Sequence, residues 1–138
     1  MTASAKLYTP QVLALATVLA DYPLEPGFAC RGHARSAVCG SAIDIGFDLD
    51  AFGRISAAGM KVHACAVGQA AAALFAQSVR TRSQEDIAAT LQQIESWLRG
   101  ESEAPEWPGL EALGAARDYP GRHGAILLPW KAALDALP

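Results

Sequence analysis

The stretch "SAIDIGFDLDAFGRISAAGMKVHACAV" constrains this chain most. From Ser41 onward, Ile43, Ile45, Phe47 and Leu49 fall on one side, while Ala42, Asp44, Gly46 and Asp48 fall on the other. Side chains two apart share a face of a strand, so this is the pattern of a half-buried strand. "DAFG" turns the chain, and Arg54 to His63 reads as the return strand of an antiparallel hairpin with its turn near Asp50 to Gly53. Cys39 and Cys65 bound the hairpin, 26 positions apart, which is the length taken up by two strands of about ten residues and a turn. Both thiols are therefore expected at one end of the sheet.

From Cys65, "CAVGQAAAALFAQSV" has helix-forming composition, and its alanines let a helix backbone sit close to the sheet. A cysteine at a helix N-terminus faces unpaired N–H groups, which favour the thiolate. Ser83 starts another helix with Asp86 as its capping-box partner, and Ile87, Leu91, Ile94 and Leu98 share one face. Gly100 ends it. "ESEAPEWPG" reads as a linker, Leu110 to Ala116 as a short helix or turn, and "AILLPWKAALDAL" as a strand-like lead-in followed by a helix from Pro129. Upstream, Thr9 and Pro10 supply the N-cap and first position of a buried helix over Val12 to Ala20. The Pro- and Gly-rich "YPLEPGFACRGHAR", Tyr22 to Arg35, reads as a surface loop carrying Cys30 and His33. The expected class is α+β, a small antiparallel β-sheet packed against helices, in a single domain over 1–138.

Composition narrows the function. Of 138 residues, 51% are apolar and 18% charged, enough apolar material for one core. A formal charge of -3 with scattered arginines argues against nucleic acid as a partner. The apolar run "VLALATVLA" resembles part of a signal peptide, but nine residues fall far short of the ~20 that span a bilayer. No membrane partner is expected. Three cysteines with no C-x-x-C pair fit a reducing compartment, so the expected location is cytoplasmic.

With these residues in place the chain resembles the IscU, SufU and NifU N-terminal type of iron–sulfur cluster assembly scaffold. "LYTPQVLALATVLADYPLEPG" is similar to that family's opening helix and loop, and "VCGSAIDIGFDLDAFGRI" to its Cys-Gly-Asp motif leading into the hairpin. "VHACAVGQAAAALFAQSV" is similar to the motif whose cysteine opens a small-residue helix. The closing "WPGLEALGAARDYPGRHGAILLPWKAAL" looks most like the SufU branch. The resemblance implies a site of three cysteines and an aspartate. Cys39 and Cys65 match the first two cysteines, whereas Ser41 stands where the aspartate is expected. Ala125 stands at the third cysteine, and Gly124 at the residue before it.

Two thiols cannot close a zinc or [2Fe–2S] site that takes four protein ligands. Substitute donors are His63, two residues before Cys65, and His123, two before Ala125. Cys39, Cys65, His63 and His123 make a chemically reasonable Cys2His2 set for zinc or iron, with the mixed-ligand iron–sulfur centre as the other option. Cys30 and His33 could fold over the site from their loop. Arg35 and Arg122 could assist thiolate formation or pair with an anionic cluster. Each residue also has a plainer role: His63 as a solvated strand end, His123 as a loop residue or cap, the arginines as solvated charges, Cys39 and Cys65 as half-buried small residues or a disulfide.

Three functions follow from this reading. The first is a scaffold or carrier binding iron, zinc or an Fe–S cluster through Cys39 and Cys65, its remaining ligands supplied by His63, His123 or a partner chain. The second is a metal-free protein-interaction module that docks to a cysteine desulfurase or another Fe–S assembly factor. The third is a sulfur-accepting transferase with Cys65 as first acceptor and Cys39 as second. The missing carboxylate and third thiol place binding ahead of catalysis.

Overall fold

The structure, a computed structural model, describes residues 7–138, so the first six positions of the expected domain lie outside the described residues. Helix α1, Pro10–Val18, begins as its sequence requires: Pro10 sits in the first turn and the Thr9 hydroxyl accepts from the Val12 N–H at 3.2 Å. A 3₁₀ turn, Leu19–Asp21, extends it. The expectation of a buried helix is corrected here. Only Val12 of α1 is buried and Leu13 is 50% exposed, because one row of an apolar helix faces the helix over Ala66–Ser78 and the rest lies at the surface.

Three strands follow, β1 at Cys30–Arg35, β2 at Ala42–Leu49 and β3 at Ile55–His63, in the order β1-β2-β3 and antiparallel throughout. The hairpin β2–β3 is the one expected, with Asp50 closing its turn by accepting from the N–H groups of Phe52 and Arg54. β1 corrects the loop expected over Tyr22 to Arg35. Cys30, Gly32 and Ala34 pair with Phe47, Ile45 and Ile43 and so share the inner face. They are small because a helix lies directly on them: a Cβ at Gly32 would run into the backbone of Ala132 and Ala136.

The remaining helices are α2 at Ala66–Ser78, α3 at Gln84–Leu98 and α4 at His123–Ala136, with a 3₁₀ stretch at Leu110–Asp118 and a 3₁₀ turn at Pro120–Arg122 ahead of α4. The capping box of α3 is present, with Ser83 Oγ accepting from Asp86 N–H at 3.2 Å and the Asp86 carboxylate accepting from Ser83 N–H at 2.9 Å. The strand-like lead-in expected before Pro129 is instead the first half of α4, with Pro129 inside the helix. Proline in a helix interior costs about 3 kcal/mol. Burial of Ile126, Leu127, Leu128 and Trp130 in the same helix outweighs this, at about 1.5–3 kcal/mol for each large apolar side chain.

α2 and α4 cover the inner face of the sheet, and α3 packs on α4. Phe47 of β2, Phe75 of α2, Trp107 and Trp130 of α4 form the aromatic centre, with Phe75 stacked on Trp107 at 5.5 Å and edge-on to Trp130 at 5.3 Å. Trp107 is fixed from both sides: its Nε1–H donates to the Leu74 carbonyl at 2.8 Å and the Arg82 guanidinium lies 4.4 Å above its ring. Residues 22–28 fold back past the edge of β3, where Met60 N–H donates to the Tyr22 carbonyl at 2.8 Å, and onto the outer face, where Phe28 lies over Gly46 and Gly59.

Candidate thiol site at the end of the sheet

The last rungs of the sheet pair Arg35 with Ala42 and Ala42 with His63. Just beyond them the chain makes a tight turn, in which Gly40 N–H donates to the Ser36 carbonyl at 3.0 Å and Ser36 N–H to the Ser41 carbonyl at 2.8 Å. Gly40 has φ of +70°, the left-handed conformation that a residue with a Cβ adopts only at a cost. This turn presents Cys39. On the neighbouring strand the chain leaves β3 through Ala64, and Cys65 becomes the N-cap of α2, its carbonyl accepting from Gln69 N–H at 2.9 Å. The Cys65 side chain makes no capping hydrogen bond. Cys39, Gly40, Ser41, His63, Ala64 and Cys65 together line one cavity of about 150 Å³.

The environment of Cys39 is built for a thiolate. Ser36 and Ser41 are both buried, and Ser41 Oγ lies 3.1 Å from Cys39 Sγ. Burial alone pushes the Cys39 thiol up. Hydrogen bonds from the Ser36 and Ser41 side chains and from the Ser41 and Cys39 backbone outweigh it, and together they hold the thiol below the usual range. Ser36 is the residue that sequence reading missed. Its place depends on Gly124 at the start of α4, where a Cβ would collide with the Ser36 hydroxyl. Nothing in the local pattern around Ser36 signals this.

The other sequence candidates separate. His63 is exposed and belongs to the cavity. His123 does not: its Nε2–H donates to the Arg117 carbonyl at 3.0 Å, and it lines a different cavity with Glu95, Leu98, Arg99 and Leu127. Arg122 lines a groove of about 550 Å³ on another side of Cys39, with Val38, Asp118 and Tyr119 among its walls. Arg35 is exposed at the end of β1. Cys30 pairs with Phe47, five residues up β1 from Arg35, or ~17 Å at strand rise. His33 binds Asp44 through Nδ1 at 2.8 Å, so neither of these two folds over the thiols. All three cysteines are free thiols.

The position expected for a third cysteine is occupied and closed. Ala125 is fully buried, and its Cβ would stand 3.2 Å from a Cβ at Gly68, one turn along α2 from Cys65. Among the described residues no group of three or more His, Cys, Asp or Glu side chains stands close enough to hold a metal ion. With Ser41 engaged by Cys39 and Ala125 packed on Gly68, the donors of a single chain do not fit a resident four-ligand centre.

A hairpin with cysteines at its open end, the second of them opening a small-residue helix, on a three-stranded sheet backed by helices, is the fold of the IscU/SufU/NifU-type iron–sulfur cluster assembly scaffolds. Among solved structures, the N-terminal part of a nitrogen-fixing NifU-like protein from Brucella abortus superposes with a TM-score of 0.87 at 23% identity, covering 98% of this chain and 94% of that one. A protein named as a putative iron–sulfur cluster assembly scaffold for the SUF system, from Fervidobacterium islandicum AW-1, superposes with a TM-score of 0.84 at 18% identity, covering 98% and 99%. No family model matches the sequence and no curated protein sequence matches it. At these identities the likeness is one of fold. Among the described residues no helix is long and apolar enough to cross a membrane.

Proposed function

We propose that this chain is a scaffold-type carrier in iron–sulfur cluster assembly that holds its cargo, iron or an Fe–S cluster, on Cys39 and Cys65. The observation that carries this reading is the meeting of both thiols and His63 in one cavity at the open end of the hairpin. Thiolates are the ligands that iron–sulfur chemistry requires, and a cargo protein needs donors that let go as well as hold. A hydroxyl at Ser41 in place of a carboxylate, and alanine in place of the third thiol, leave the site short of ligands within the chain, so the remainder comes from outside it. A cysteine desulfurase or another Fe–S assembly factor is the class of partner that supplies sulfur or takes the cargo.

The test is elemental analysis of anaerobically purified protein beside a Cys39→Ala/Cys65→Ala variant. Near-stoichiometric iron that disappears in the variant supports the reading, and iron absent from both refutes it. A second reading, sulfur acceptance, draws support from the hydrogen bonds around Cys39, because the thiolate is the form that attacks a sulfur donor. Cys39 therefore moves ahead of Cys65 as the acceptor. Trapping a persulfide on Cys39 after incubation with a desulfurase and cysteine supports it, and a Cys39→Ser variant that is labelled equally well rules it out.

A further inference from the structure

Besides the cavity it shares with Cys65, Cys39 borders a second space, the groove of about 550 Å³ walled also by Val38, Asp118, Tyr119 and Arg122. Cys65 is not among its walls, so one thiol of the pair has a binding surface of its own. We infer that this groove binds a small disulfide carrying the charges of an α-amino acid and sets it against Cys39 for thiol–disulfide exchange, leaving Cys39 reversibly capped by a low-molecular-weight thiol.

The two charges of the groove point to the ligand. Asp118 closes one 3₁₀ stretch and Arg122 ends the 3₁₀ turn that follows, so a carboxylate and a guanidinium four positions apart line the same wall. Among the described residues the ion pairs are those of His33, Arg54 and Arg99, and neither Asp118 nor Arg122 takes part in one with another charge of its own. Each is left to a partner from outside: a carboxylate suits Arg122 and an ammonium suits Asp118. An α-amino acid presents both on one carbon. Tyr119, packed on the core between them, steadies the wall, and Val38, 79% exposed beside Cys39, offers an apolar surface to the methylene that carries the ligand's sulfur. The volume falls within the roughly 300–1,000 Å³ of small-molecule sites, which leaves room for an amino-acid disulfide.

The exchange balances without a further reagent. The Cys39 thiolate attacks one sulfur of the disulfide R–S–S–R, the bond from Cys39 to that sulfur forms as the ligand's S–S bond breaks, and R–S⁻ leaves and takes a proton from water. Cys39 is oxidised and the departing half of the ligand is reduced. A reducing thiol reverses the step by the same route. Because Cys39 also borders the cavity with Cys65 and His63, the cap takes one of the two cargo thiols out of service. That consequence rests on the cargo reading above, whereas formation of the cap does not.

The experiment follows the mass of the intact reduced chain as it meets four disulfides: cystine with both charges, dithiodipropionate with carboxylates alone, cystamine with ammonium groups alone, and uncharged hydroxyethyl disulfide. Each rate is taken relative to the same disulfide reacting with a small free thiol, and peptide mapping locates the cap. Cystine should cap Cys39 about tenfold faster on this scale than hydroxyethyl disulfide. Arg122→Gln should slow cystine and dithiodipropionate about fivefold without slowing cystamine, and Asp118→Asn should slow cystine and cystamine about threefold without slowing dithiodipropionate. Neither side chain is buried, so both variants should keep the fold, and Arg122→Lys should recover part of the rate. A cap found mainly on Cys65, no advantage for cystine, or variants that slow all four disulfides alike would overturn the inference. Capped protein should take up no ferrous iron and sulfide until a reductant removes the cap. Should the uncapped protein take up none either, the cargo reading falls while the crossed charge dependence still upholds the groove.

Discussion

A Ser41→Asp/Ala125→Cys double variant should convert this chain into one that holds zinc. The structure fixes what each change meets. The new sulfur at position 125 enters a fully buried site whose neighbour is Gly68, one turn from Cys65 on the same helix face. Overpacking of this kind costs about 1–3 kcal/mol, and the missing side chain of Gly68 keeps the cost toward the lower figure. The carboxylate introduced at position 41 replaces the hydroxyl of a residue only 3% exposed, and without a metal it forfeits hydration at a cost above the about 1–3 kcal/mol that a neutral buried group loses. The metal-free double variant should therefore melt well below the parent. With zinc at 100 times its dissociation constant, linkage returns about 2.7 kcal/mol. At about 4 °C per kcal/mol for a domain of this size, the melting temperature should rise by ~10 °C. Differential scanning fluorimetry with zinc and with chelator, on parent and double variant, reads this directly. The parent, which lacks both added ligands, should respond far less. A double variant that folds yet shows no zinc-dependent rise would mean that position 125 does not face the two thiols, and the account of the site as closed by Ser41 and Ala125 would fall.

Two further outcomes follow from the same geometry. In a Cys30→Ser/Cys65→Ser background, alkylation of Cys39 should titrate below an ordinary thiol, near 8.5, and Ser36→Ala or Ser41→Ala should move the profile upward. Because the folded value is depressed, the stabilisation from the thiolate is fully present above the unfolded value and is lost as pH falls through the folded one, so urea midpoints of parent and Ser36→Ala should converge on acidification. Gly32→Ala should destabilise by about 1–3 kcal/mol or more in urea unfolding, since the atoms it meets on α4 are mostly backbone and have little room to yield; an unchanged midpoint would contradict the placing of α4 on β1.

Much of this fold can be read in one dimension because its signals are local. The alternation from Ile43 to Leu49 and the capping box at Ser83 and Asp86 depend on residues two or three apart, and both appear in the structure as read. β1 escaped because its inner face is Cys30, Gly32 and Ala34, residues chosen for the thickness of α4 and not for apolar contrast. α4 was cut short at Pro129 because the proline rule is local, while the burial that overrides it is tertiary. At the site, the joining of Cys39 and Cys65 follows from hairpin length. Ser36 and His123 do not: one depends on Gly124 far along the chain, the other on a carbonyl that only the 3₁₀ stretch before α4 presents.

The outer strand β1 has one further consequence. It runs for six residues at the edge of the sheet and turns Arg31 and Arg35 toward solvent. Unpaired edges invite other chains to add on, and outward cationic side chains on a short strand are a common defence against it. The opposite edge, β3, is met midway by the chain at Pro23, bridged to Met60. Addition of a further strand to the sheet is thus discouraged at both edges, so stacking of copies into fibrils through the sheet is disfavoured.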